Sequence, residues 1–168
     1  MTLEVAILNV IEGLETDFMT AFSKAEKDDL EPLIGKVRGF DKKSDWLLEI
    51  AQQLKEDKNI PTTMKDLTAL KGIGRKSANV IMREAEKKAE GIMVDLHVLR
   101  VVPRLGISQA KTGDKMEKDL MAALPQDMWS DVGMAISFLG RETCRPTNPK
   151  HGECIVSKHC EYCLQQNS

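Results

Sequence analysis

The chain has 168 residues, 30% of them charged and 42% hydrophobic, which at roughly 150 residues per domain means one domain or two small ones. Its 24 basic residues nearly balance 26 acidic ones, for a net charge of −2. That balance argues against intrinsic disorder, and a chain of this length buries a core without needing disulfides. No run of about 18 apolar residues is available to span a membrane. The start, Met1-Thr2-Leu3-Glu4, has no basic leader, so a soluble cytoplasmic protein is expected.

Helical periodicity runs almost throughout, and no stretch shows sustained apolar–polar alternation. Leu3, Ile7, Val10, Ile11 and Leu14 trace one helical face. After a loop around Gly35 and Gly39, Ser44 is expected to cap a helix carrying Leu47, Ile50, Ala51 and Leu54. Pro61 breaks the chain. Thr63 with Asp66 reads as a capping box for a short helix, Met64 to Leu70. Gly72 and Gly74 interrupt, and a second helix is predicted from about Arg75 to Lys88. The next starts at Asp95 and stops by Gly106, with Pro103 as a kink point. Met116, Leu120, Ala123 and Leu124 mark another, closed by Pro125. Met128, Val132, Ala135, Ile136 and Leu139 mark the last, closed by Gly140. The fold class is all-α.

Charge is unevenly spread along these elements. Between Glu12 and Glu31 seven acidic residues meet two lysines, whereas between Lys71 and Arg104 eight basic residues meet four acidic ones. A polyanion responds to that second local field rather than to the total. A solvated helix face accounts for the pattern equally well.

The last 28 residues change character. The segment from Cys144 to Cys163 holds all four cysteines, two of the three histidines (His151 and His159), two prolines and no helical stripe. Without a leader sequence, disulfides are disfavoured. Four thiols spaced C-x9-C-x5-C-x2-C therefore read as a metal site. Soft thiolates suit zinc or iron–sulfur iron, and a bound metal supplies the core that a loop lacks. The spacing matches no ferredoxin-type run and leaves zinc and cluster both open.

The segment Leu70-Lys71-Gly72-Ile73-Gly74-Arg75-Lys76-Ser77-Ala78 lies between two predicted helices. Two glycines two apart permit a tight turn and close approach of a ligand to the backbone. The N–H groups opening the second helix form a seat for an anion such as a DNA phosphate. A plain interhelical turn has the same composition.

Together with Val94-Asp95-Leu96-His97 and Phe138-Leu139-Gly140-Arg141-Glu142-Thr143-Cys144, this segment resembles the endonuclease III family of helix-hairpin-helix DNA glycosylases with AP lyase activity. The family pattern is a hairpin L-P-G-V-G-x-K-[ST]-A, an Asp in V-D-[ST]-H and a C-terminal cysteine loop. The resemblance covers about Gly35 to Cys163. It implies a helix-hairpin-helix glycosylase fold with two helical lobes: 1–89, with the hairpin near 63–88, and 90–168, with a metal-binding loop over 144–163. Lys76 then matches the family nucleophile and Asp95, 19 residues on, the family carboxylate, expected in the cleft between lobes and facing the lysine.

The implied chemistry fits both residue types. A damaged base is flipped from the stack before its sugar can be reached. An amine then displaces it at C1′, giving a Schiff base that undergoes β-elimination. Lys76 in the first turn of its helix is expected to favour the neutral amine. Asp95 stabilises the cationic sugar and helps to deprotonate the amine. Outside the resemblance, a solvated lysine and an N-capping Asp explain the same two residues.

The implied DNA contacts are Lys71, Gly72, Gly74, Arg75 and Ser77 in the hairpin and Arg141, Arg145, Lys150 and Lys158 around the cysteine loop. In the family that loop reads C-x6-C-x2-C-x5-C and binds a 4Fe–4S cluster. Cys144, Cys154 and Cys160 match its first, third and fourth positions, His151 stands at the second, and Cys163 follows. The implied ligands are Cys144, Cys154, Cys160 and Cys163, with His151 as the alternative fourth and zinc as the alternative to the cluster. Other departures are Lys71 at the hairpin proline, Leu96 after the Asp, Leu14 where a Gln enters the space of the flipped base, and a short N-terminus. The implied partner is double-stranded DNA with a damaged base, an oxidised pyrimidine by resemblance, or an abasic site. A monomer in a prokaryotic nucleoid would bind it. A non-enzymatic helix-hairpin-helix DNA-binding metalloprotein and a glycosylase of another base specificity are the alternatives.

Overall fold

The computed structural model describes residues 17–166, the side chain of Glu31 excepted. The stripe from Leu3 to Leu14 lies outside the described residues. Among those described there are nine α-helices, four single-turn 3-10 segments and no strand. The helices are α1 (Phe18–Ser23), α2 (Lys27–Ile34), α3 (Phe40–Leu54), α4 (Met64–Ala69), α5 (Arg75–Glu84), α6 (Leu96–Leu105), α7 (Gly113–Ala123), α8 (Trp129–Glu142) and α9 (Glu161–Gln166). They pack as two units, 17–61 with 65–73 and 62–64 with 74–166. The chain passes from one to the other at Gly74, inside the hairpin turn; residue 89 falls within the second unit.

In the first unit α1 and α2 pack on α3. Phe18, Phe22, Leu30, Ile34, Ala51 and Leu54 form its core. The start of α1 is tied to a distant turn. Asp17 accepts from the Asp57 N–H at 2.8 Å, and Asp57 accepts from the Met19 N–H at 2.8 Å. Helix α3 begins at Phe40 rather than at Ser44, after Gly39 turns the chain at φ +72°. Ser44 is buried inside the helix, its hydroxyl donating to the Phe40 carbonyl at 2.9 Å. A mid-helix serine commonly satisfies itself in this way.

In the second unit α6 packs along α8. Ile92, Val98, Val101, Val102, Met116 and Leu120 are fully buried there. Helix α8 runs through Gly140 to Glu142 instead of stopping. A Cβ on Gly140 would come within 2.9 Å of the His97 Cβ, so this glycine lets two helices approach rather than ending one. Helix α5 ends at Glu84, four residues short of Lys88. Glu86 adopts φ +53°, and the Lys87 N–H bonds the Met82 carbonyl at 2.9 Å, a Schellman closure with a glutamate where glycine is usual.

Candidate active site and cysteine loop

Each glycine of the hairpin has its own physical reason. Gly72 sits at φ +81°, and a Cβ there would fall 2.4 Å from the Trp46 indole, so both backbone and packing demand glycine. Beside it the Lys71 ammonium pairs with Glu49 at 2.6 Å. Gly74 has ordinary backbone angles and, among the described residues, no atom within 4 Å of a built Cβ. It opens α5 without any side-chain cap, so the first amides of that helix, at its positive dipole end, take no capping hydrogen bond from Gly74.

Arg75 opens the helix and is already engaged. Its guanidinium donates two bonds, 2.7 and 2.9 Å, to Glu117 on α7. Glu117 is only 4% exposed and also accepts from Asn79 at 3.0 Å. Burying a carboxylate is costly unless it is paired and hydrogen-bonded, and both partners come from one face of α5. The result is a clamp that fixes the first turn of α5 against α7. Lys76 follows Arg75, exposed, and no hydrogen bond or ion pair among the described residues engages its ammonium. Ser77 is half-buried.

Asp95 caps α6. One carboxylate oxygen accepts from the His97 N–H at 2.8 Å and the Val98 N–H at 2.9 Å. The other accepts from the Ser137 hydroxyl at 2.7 Å, and the Arg141 guanidinium approaches it to 3.9 Å. Burial pushes the carboxyl up, but the hydroxyl and the two amides outweigh burial and hold it below the usual carboxylate value. Asp95 is therefore a fixed anion and a weak base. Arg141 also lies over the Phe138 ring, 5.4 Å from its centroid. Lys76 and Asp95 belong to the same packed unit.

The four cysteines come together. Cys144, Cys154, Cys160 and Cys163 line one cavity, along with His151 and Tyr162. Cys163 is carried by α9, a helix the sequence pattern did not reveal, and α9 packs on α6. His151 Nδ1 lies 2.9 Å from the Cys163 sulfur. Burial, and then the other three thiols, push the Cys163 thiol up. Arg104 organises the loop. It donates to the Cys144 sulfur at 3.2 Å and to the Arg145 and Pro146 carbonyls at 2.8 and 3.2 Å. Arg145 is exposed, and Lys150 pairs with Glu153 at 2.9 Å.

Glu117, Asn79, Ser137 and Arg104 have no marker in the sequence. Each acts through a partner about 40 residues away, a separation that no local motif reports.

Comparison with known proteins follows the same lines. A family model described as "HhH-GPD superfamily base excision DNA repair protein" matches residues 5–126. Endonuclease III of Thermotoga maritima is 34% identical over 142 residues, 83% of this chain and 66% of that protein. Endonuclease III of Synechocystis is 32% identical over 142 residues, 83% of this chain and 65% of that protein. The chain thus spans just under two thirds of these curated relatives. Among solved structures, a trapped endonuclease III–DNA covalent intermediate superposes with a TM-score of 0.82 at 26% identity, covering 97% of this chain and 76% of the other. A thermostable thymine-DNA glycosylase shares the fold with a TM-score of 0.77 at 19% identity, over 97% and 76%.

Proposed function

Since the chain belongs to the HhH-GPD superfamily of base excision DNA repair proteins, we propose that it excises a damaged base from duplex DNA and cleaves the resulting abasic site by lysine chemistry. One observation carries the reading. An exposed lysine with no partner among the described residues stands in an uncapped helix turn, and the same unit holds a carboxylate locked as an anion.

The amine of Lys76 attacks C1′ of the flipped nucleotide and the base departs with the C1′–N bond electrons; one amine proton goes to the departing base and the other to the ring oxygen as the C1′–O4′ bond opens. The ring-opened sugar is held as an imine to Nζ. Loss of a C2′ proton expels the 3′ phosphate by β-elimination, and water then hydrolyses the imine to restore the lysine. The state of Asp95 favours electrostatic support of the cationic sugar over proton abstraction, because a carboxylate already accepting three hydrogen bonds is a poor base. The phosphate contacts are assigned to the α5 amides reached past Gly74, to Lys71 and Ser77, and to Arg141, Arg145, Lys150 and Lys158. Arg75 is assigned to the clamp instead.

The cysteine loop fits a 4Fe–4S cluster held by Cys144, Cys154, Cys160 and Cys163. Here four soft sulfur donors line one shared cavity. Four thiolates are the donor set that a 4Fe–4S cluster would take, and these four cysteines would hold it. The cluster's contribution when bound is to hold the loop's shape. His151 is assigned as a hydrogen-bond partner of Cys163 rather than as a ligand.

Borohydride trapping on a duplex with one abasic site tests the reading. A covalent protein–DNA band is expected, lost in Lys76→Ala while DNA binding persists. A folded, iron-loaded protein that gives no band refutes the lyase and supports a DNA-binding protein without catalysis. Duplexes carrying single oxidised pyrimidines then identify the base.

A further inference from the structure

Ser137 lies on α8 where that helix packs along α6, at 0% exposure. Its helix neighbours on the buried face, Gly133, Ile136 and Gly140, are apolar or absent side chains, and an alanine would satisfy packing there. A buried hydroxyl without a partner costs free energy, so the serine is explained only by what it bonds. Among the described residues its one side-chain partner is Oδ2 of Asp95, at 2.7 Å. The other oxygen of that carboxylate is already saturated by two amides.

We infer that Ser137 is a positioning residue for the proposed reaction, its hydroxyl fixing the orientation and charge of the Asp95 carboxylate. The inference rests on the glycosylase/lyase reading above. Two charged or titratable groups also face Asp95: Arg141 from α8, at 3.9 Å, and His97 from its own helix. Arg141 is beyond hydrogen-bond distance and half-exposed, so solvent screens it. The serine, sealed between two helices, gives a short hydrogen bond to a charged acceptor, which is the stronger class. Without it Oδ2 loses its one short contact among the described residues. The carboxylate then either rotates off the cap or takes up a proton more readily, and both changes weaken support for a cationic sugar.

The test follows three readouts in wild type, Ser137→Ala and Ser137→Thr. They are the Asp95 13Cγ titration midpoint, assigned with Asp95→Asn; the single-turnover rate of borohydride trapping on abasic-site duplex; and affinity for a duplex carrying a tetrahydrofuran abasic analogue. Ser137→Ala is expected to raise the midpoint, slow trapping about tenfold and leave affinity within about twofold. Ser137→Thr keeps the hydroxyl and is expected to restore midpoint and rate. A folded Ser137→Ala protein with unchanged midpoint and rate overturns the inference. Trapping slowed equally in Ser137→Ala and Ser137→Thr, with no change of midpoint, also overturns it, since packing alone would then explain the loss. If wild type traps no DNA while its midpoint still depends on Ser137, the glycosylase reading fails and the hydrogen bond stands as structural.

Discussion

Helices α5 and α6 begin in opposite ways. Helix α5 opens at Gly74, with no side-chain cap, no neighbour among the described residues within 4 Å of that glycine's missing Cβ, and an exposed lysine one residue into the helix. Helix α6 opens at Asp95, whose carboxylate accepts two of its first amides and a buried hydroxyl. Both ends carry the same positive dipole. One leaves it available to an incoming anion, and the other has neutralised it with an anion of its own. In the proposed reaction the same structural position would serve as a seat for substrate or as a scaffold for a catalytic charge, depending on whether the capping residue has a side chain.

The sharpest way to break the comparison is to remove the charge of Asp95 without removing its cap. Asparagine is as good an N-cap as aspartate. Asp95→Asn should therefore change unfolding free energy by less than about 1 kcal/mol, while single-turnover trapping falls by roughly 100-fold. Thermal or denaturant unfolding measures the first and quench kinetics the second. A large stability loss with little rate loss would make Asp95 a cap and nothing more.

The two hairpin glycines sharpen it next. Gly72→Ala drives a methyl into Trp46 at a positive φ, and about 2–3 kcal/mol of destabilisation is expected in a urea titration. Gly74→Ala meets nothing and keeps an allowed backbone, so stability should move by less than about 0.5 kcal/mol. Its DNA affinity should nonetheless fall, because the methyl stands where a phosphate would approach the amides. A Gly74→Ala affinity equal to that of wild type would mean that the open amides are not the seat.

A smaller effect is expected from the clamp. Arg75→Ala leaves Glu117 buried with only Asn79 as donor. Loss of a partner from a fully buried ion pair costs about 3–5 kcal/mol. The Arg75 side chain is 43% exposed, so screening reduces the expected loss to about 1–2 kcal/mol. Trapping should slow more than affinity falls, because the residue holds the helix of Lys76.

These differences track what was legible in the chain. The hairpin glycines, the Asp95 cap, the start of α4 after Thr63 and the grouping of four cysteines are local signals, written within a few residues of the structure they produce. The clamp and the Ser137 contact arise from side chains brought together by packing, and nothing near them in sequence announces the partner. Gly140 was expected as a stop because a terminal glycine and a helix-packing glycine look alike in one dimension. Ser44 was expected as a cap because a serine before an apolar stripe gives no sign that the helix already began at Gly39. Helices α1 and α9, six residues each, are too short to show a period. Yet α9 positions the one cysteine that departs from the family spacing.

The smallest expected effect is also the one whose sign is fixed by the geometry of α6. Hydrogen bonds from Ser137, Val98 and His97 outweigh burial and place the Asp95 carboxyl below its ordinary value of 3.8. Between that lowered value and 3.8 the unfolded chain binds more protons than the folded one, so stability there rises with pH. The contribution of Asp95 is fully present above 3.8 and is lost as pH falls through the lowered folded value. Asp95→Asn has no such group to titrate. The stability of wild type relative to Asp95→Asn should therefore be constant from neutral pH down to about 5, then shrink as the solution is acidified further. Parallel denaturant curves at stepped pH measure it. A difference that stays flat below pH 4 would mean the carboxylate gains nothing from its three donors when the chain folds, and α6 would then differ from α5 only in having its amides covered.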